Sequence, residues 1–249
     1  MRKFLIVICL LLICLSPANA CDVSLFALVS GNSPNKAFAE KLTSLVGRAR
    51  AVANNSENHE TLPTHLQQLM SGWIEFSNTY QINPPEWAKK DAAWKDKLNE
   101  QADLIGSIRK NLASQEPDQA KAHRELQKFT RQLTRLYESL EMDELSRLLL
   151  DISMHIDHVW DAWWAQNGAG LIETTATFSA ACQKLSEKLD EESAKTFEDL
   201  AHRAGELHKM AAKPDVFAGK SFEFMLNMTE NDFARFNDAR KEKSAEETK

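Results

Sequence analysis

Apolar residues recur along this chain at three- and four-residue intervals, and from Ser33 onward that period hardly lapses. Such spacing gathers apolar side chains into one stripe of a helix. The first helix opens at Pro34 and turns Phe38, Leu42, Leu45, Val46 and Ala49 inward. Positions 54–60 are polar and read as a loop. A second helix over 61–80 carries Leu66, Leu69, Met70 and Trp73 on one face. Asn83-Pro84-Pro85 breaks the chain and starts a third helix, since proline is tolerated in a first turn. Trp87, Trp94, Leu98, Ile105, Ile108 and Leu112 form its stripe.

Pro117 marks the next start, followed by Leu126, Phe129, Leu133, Leu136, Tyr137 and Leu140. Met142-Asp143 reads as a kink before a fifth helix. There Leu145, Leu149, Ile152, Ile156, Val159 and Trp163 keep a four-three alternation, the spacing of nearly aligned helix packing. Asn167-Gly168-Ala169-Gly170 is a stop signal. A sixth helix over 171–189 buries Phe178, Cys182, Leu185 and Leu189, and a seventh buries Phe197, Leu200, Ala204, Leu207 and Ala211. Lys213-Pro214-Asp215 ends it, and 222–236 forms a last helix rich in Phe and Met. The one segment that reads as extended is 22–31. The fold class is therefore all-α, an antiparallel bundle of about eight helices, as one array or as two four-helix units, with a short extended N-terminal segment. A faint internal repeat pairs Trp73 with Trp163 and Leu126/Leu133 with Leu200/Leu207.

The amino end supplies an address. Arg2 and Lys3 precede an apolar run over 4–15, and Ser16-Pro17-Ala18-Asn19-Ala20 ends in small residues before Cys21. This is the pattern of a bacterial secretory signal peptide. The chain then divides into a signal at 1–20, an extended arm at 21–34, helical halves at 35–141 and 142–239, and a charged disordered tail at 240–249. The expected location is the periplasm, or the cell envelope if the chain is anchored. Cys21 after the cut resembles a lipoprotein signal, which implies acylation of that cysteine and membrane attachment through its lipid alone. Ala18 stands where lipoproteins usually carry Leu. Unacylated, Cys21 is available for a disulfide to Cys182, the other cysteine of the mature chain. Lipidation or disulfide are the two alternative fates.

Charge and motifs narrow the chemistry. The formal net charge is −6, and loss of Arg2 and Lys3 makes the mature chain more acidic, so it has no electrostatic case for nucleic acid. No second apolar run is long enough to span a bilayer. No Cys-x-x-Cys-His, Glu-x-x-His, His-Glu-x-x-His or glycine-rich phosphate loop occurs.

Three groups remain as candidates. His155 and His158, beside Met154, have the spacing of a helix-face metal pair suited to copper. Helical phase places them at boundary and solvent positions and Met154 opposite the core. His208 faces inward between Ala204 and Ala211, as a ligand to metal or haem or as a hydrogen-bonded core histidine. Six tryptophans are present. Trp160 and Trp164 are the candidate contacts for a small apolar or planar ligand, Trp164 because it lies off the seam that Trp163 continues. Cys21 followed by Leu25-Phe26-Ala27-Leu28 also resembles the start of class II glutamine amidotransferases, which implies an N-terminal-Cys amidohydrolase. The Cys-to-Phe spacing is longer here, and that family's β-sandwich has no counterpart in this helical pattern.

The expected function is non-enzymatic ligand or protein binding or scaffolding at the envelope, without a cofactor. The partner would be an envelope protein, a small apolar ligand or a second copy in a homodimer. The alternatives are a bundle holding non-covalent haem or copper, and the amidohydrolase.

Overall fold

A computed structural model describes the backbone of residues 36–247 and the side chains of residues 37–240. Eight α-helices and three short 3-10 segments, with no strand, occur among the described residues. The helices are α1 (Lys36–Asn54), α2 (Leu62–Ile82), α3 (Trp94–Leu112), α4 (Gln119–Gln132), α5 (Glu144–Trp164), α6 (Gly168–Ser186), α7 (Glu191–Ala211) and α8 (Ser221–Glu247). None is long and apolar enough to cross a membrane. The signal, the extended arm and Cys21 lie outside the described residues.

Helices α1 to α4 touch in a ring, each packed on the next and α4 closing on α1. Helices α5 to α8 close a second ring in the same way. Short connections make consecutive helices antiparallel. The rings meet through α4 and α5, and the buried apolar residues of both form one continuous cluster. The residues of the expected repeat do not occupy equivalent places. Trp73 is on the second helix of its ring and Trp163 on the first of the other, and Leu126 and Leu200 fall on a fourth and a third helix.

Several boundaries move, each for a local reason. Pro84 and Pro85 do not open the third helix: a 3-10 turn over Ala88–Lys90 intervenes and α3 starts at Trp94. Met142-Asp143 is a break and not a kink. α4 tightens into a 3-10 segment over Leu133–Tyr137, and the Asp143 carboxylate accepts the Ser146 N–H as the N-cap of α5. Asn167-Gly168-Ala169-Gly170 ends one helix and begins another, because Asn167 accepts the Gly170 N–H and caps α6. The last helix runs to Glu247, through most of the stretch expected as a disordered tail.

Aromatic packing closes one end of the first ring. Phe38 meets Tyr80 at 4.8 Å, Phe76 at 5.3 Å, Tyr137 at 5.4 Å and Trp87 at 5.5 Å between centroids. The Trp94 indole N–H donates to the Tyr80 carbonyl at 2.9 Å. Trp87 and Trp94 are thus packing residues. In the second ring Trp163 stacks on Phe222 and Phe217 at 4.9 and 5.2 Å.

Candidate functional site

The helices at the junction of the rings bury two faces each, and the second face is polar. On α5 it is Ser153, Asp157, Trp160 and Trp164, spaced four, three, four. On α4 it is Gln127 and Arg131, continued by Thr134 in the 3-10 turn and, toward the first turn, by the exposed Ala120 and Arg124; on α8 it is Glu223, Asn227, Glu230, Ala234 and Asn237. The same helical arithmetic that makes an apolar seam brings these three stripes together.

Their deep part is sealed. Arg131, Asp157 and Glu230 are 1 %, 2 % and 1 % exposed. The Arg131 Nε donates to Asp157 Oδ1 at 3.1 Å, and Nη1 is 3.8 Å from Glu230 Oε1. The Trp160 indole N–H donates to Glu230 Oε2 at 3.0 Å. The guanidinium also rests against both indoles, 5.4 Å from Trp160 and 5.0 Å from Trp164. Burial pushes the Asp157 and Glu230 carboxyls up from the usual range, against the pull of Arg131. Nearer the surface, Lys128 Nζ binds both oxygens of Asp161 at 2.8 and 3.0 Å and joins α4 to α5 again.

The shallow part of the same stripes opens as a cavity of about 710 Å³. Trp160 and Trp164 lie on its α5 side, and Glu223, Phe224, Asn227, Met228 and Asn231 on its α8 side. The first turns of α4 supply Gln119, Ala120, His123, Arg124 and Gln127. Ser56 and Glu57, from the α1–α2 connection, complete the rim, where Gln119 Nε2 donates to the Ser56 carbonyl at 3.1 Å. His123 and Gln127 are 3.1 Å apart. Burial among protein atoms, and then the charge of Arg131, push the His123 imidazole down from its ordinary value. Two buried polar atoms on the lining, Gln119 Oε1 and Trp164 Nε1, have no partner among the described residues. Phe224 stands 60 % exposed at the mouth.

The structure brings Trp160 and Trp164 together, 5.1 Å between centroids, at this cavity. It leaves the other candidates elsewhere. His155 and His158 have ring centroids 6.3 Å apart on α5, His155 half-buried and His158 exposed. Burial and the neighbouring His158 push the His155 imidazole down. Among the described residues, no three His, Cys, Asp or Glu side chains gather as a metal-holding group. Met154, expected opposite the core, packs against it because α5 is covered on more than one side. His208 Nδ1 is 3.2 Å from the Thr175 hydroxyl of α6. Among the described residues Cys182 has no disulfide partner; it is fully buried on α6, and burial pushes its thiol up.

A one-seam reading of α4, α5 and α8 misses Arg131, Asp157 and Glu230, because it assigns everything off the apolar stripe to solvent. The signal was present as the second four-three stripe, Ser153-Asp157-Trp160-Trp164. Compared with known proteins, the chain matches no protein-family model, no curated protein and no solved structure at a significant level.

Proposed function

We propose that this protein is a non-enzymatic binding protein of the cell envelope, and that the cleft between its two helical rings holds a small ligand. One observation carries the reading: a cavity of about 710 Å³, in the size range of small-molecule sites, is lined by Trp160 and Trp164 and by convergent polar side chains. The Arg131 cluster beneath supports it, because a sealed ion network fixes the indoles from below and leaves the cleft preformed. The amino-terminal signal pattern supports export.

A second reading is a non-covalent haem site. His123 on α4 and Met228 on α8 line the same cleft and are side chains of the type that hold haem iron. The charged side chains Glu57, Arg124 and Glu223 and the carboxamides of Gln119, Gln127, Asn227 and Asn231 on the lining favour the first reading, since haem sites surround the macrocycle with few such groups.

Native mass spectrometry of the protein purified from its own envelope tests both. The expected result is a bound small-molecule mass, with no Soret absorption, that disappears in Trp164→Ala. A bound mass retained by Trp164→Ala places the ligand elsewhere and overturns the cleft reading. A Soret band lost in His123→Ala establishes the haem reading instead.

A further inference from the structure

The composition of the cleft specifies what it takes. Resting on the proposed binding role, we infer that the ligand is a neutral saccharide, a short oligosaccharide held by its hydroxyl or amide groups and by one sugar face laid on Trp164.

Charge is the first argument. Glu57 and Glu223 oppose Arg124 on the lining, and the His123 imidazole, its proton affinity lowered, adds less positive charge than an ordinary histidine. The Arg131 guanidinium is committed to Asp157 and Glu230 behind the indoles. The cleft therefore offers no concentrated positive charge to an anion. It offers a cation little either, because two carboxylates set against one guanidinium leave at most a single excess negative charge on the lining.

Hydrogen-bonding capacity is the second. Gln119, Gln127, Asn227 and Asn231 set four carboxamides around one cavity. A carboxamide both donates and accepts, the complement of a group that does the same. The two unpartnered atoms of the lining have opposite needs: Gln119 Oε1 wants a donor and the Trp164 Nε1–H wants an acceptor. A buried polar group normally has a partner. Hydroxyls donate and accept and so answer both demands, whereas a purely apolar ligand answers neither. The aromatic surface is the third argument. Trp164 and the exposed Phe224 give a pyranose the flat, weakly polar wall on which its C–H face packs.

Intrinsic tryptophan fluorescence and calorimetry test this with four neutral probes: maltotriose, cellotriose, N,N′-diacetylchitobiose and chitotriose. Trigalacturonic acid serves as the anionic comparator and N-phenyl-1-naphthylamine as the neutral apolar one. Saturable binding of at least one neutral sugar is expected, weakened about tenfold or more in Trp164→Ala. Asn227→Trp fills the cleft from α8 with Trp164 intact and is expected to abolish binding without altering the helical circular dichroism. Binding of N-phenyl-1-naphthylamine or trigalacturonic acid alone, lost in Asn227→Trp, overturns the saccharide class and leaves the cleft as a binding site. Sugar binding unaffected by either variant overturns the assignment to this cleft. No binding of any probe, with no co-purified mass on the protein, overturns both the class and the binding role.

Discussion

Arg131 and Asp157 face each other across the junction of the two rings, Nε to Oδ1 at 3.1 Å, with both side chains almost wholly shut off from water. The pair is incomplete without Glu230, since one guanidinium lies between two carboxyls. Buried ion clusters add little net stability over apolar replacements, but removing one partner strands the rest. Arg131→Met is therefore expected to cost about 3–5 kcal/mol. The triple variant Arg131→Met, Asp157→Asn, Glu230→Gln should recover most of it, because no unpaired charge is left buried. Urea unfolding at neutral pH checks both. A triple variant no more stable than Arg131→Met alone would locate the loss in packing.

The same cluster sets a pH dependence. Burial raises the folded-state affinity of Asp157 and Glu230 for protons above that of the unfolded chain. Their contribution is fully present below the unfolded carboxylate range, roughly pH 4, and is lost as pH rises through the raised folded values. Arg131 is what limits that rise. In Arg131→Met the decline with increasing pH should be steeper, and the deficit against wild type should shrink on acidification from pH 7 to 5. His123 and His155 act in the opposite sense in both proteins. Burial lowers their affinity for protons, so they subtract stability as pH falls below roughly 6.5. Taking the wild-type-minus-variant difference at each pH cancels the His155 contribution. His123 lies in the field of Arg131, so His123→Gln in both backgrounds removes it.

The helical fold was legible because most helices here bury one stripe, and residues such as Leu42, Ile108, Phe178 and Leu207 stand where a three-four period puts them. What hid the site is that α4, α5 and α8 are covered on two sides. Phase measured from a single seam kept Trp163 on the seam and Trp164 off it, and singled out neither Asp157 nor the depth of Trp160. In the structure Trp160 is 1 % exposed and Trp163 only half-buried. Helix ends were legible only in part: Asn167 was seen as a stop but not as the cap of α6, and Asp143, which caps α5, was read as a kink. They were misread at Pro84-Pro85, where tertiary packing of Trp87 against Phe38 and Tyr137 holds the chain in a turn.

The end of α5 carries a strain that can be relieved. Gln166 has φ of 50°, the left-handed region that disfavours a side chain. The Asn167 N–H bonds the Ala162 carbonyl and the Gln166 N–H bonds that of Trp163, the paired pattern that terminates helices and ordinarily uses glycine at this position. Gln166→Gly should stabilise the protein by up to about 1 kcal/mol, the relief of the left-handed residue offset by the extra freedom of glycine in the unfolded chain. Thermal unfolding checks it. A decrease in melting temperature would mean that the Gln166 side chain contributes more than its backbone costs.

Cys182 connects the core to the fate of the amino end. Its side chain is fully enclosed on α6, and burial holds the thiol protonated, so it is a poor nucleophile while the helices stay packed. In a Cys21→Ser variant, the folded protein is expected to leave Ellman's reagent unreacted, with one thiol appearing on addition of denaturant. The labelling rate should follow unfolding and not reagent concentration. A disulfide to Cys21 requires the two α-carbons to come within about 7 Å, which would carry the arm in beside Cys182 between packed helices. Rapid labelling of the folded Cys21→Ser variant would show that α6 opens readily at Cys182, the access that such a disulfide needs. The mass of the wild-type mature chain then separates the outcomes: two hydrogens fewer for the disulfide, an acyl increment for lipidation, and neither for two free thiols.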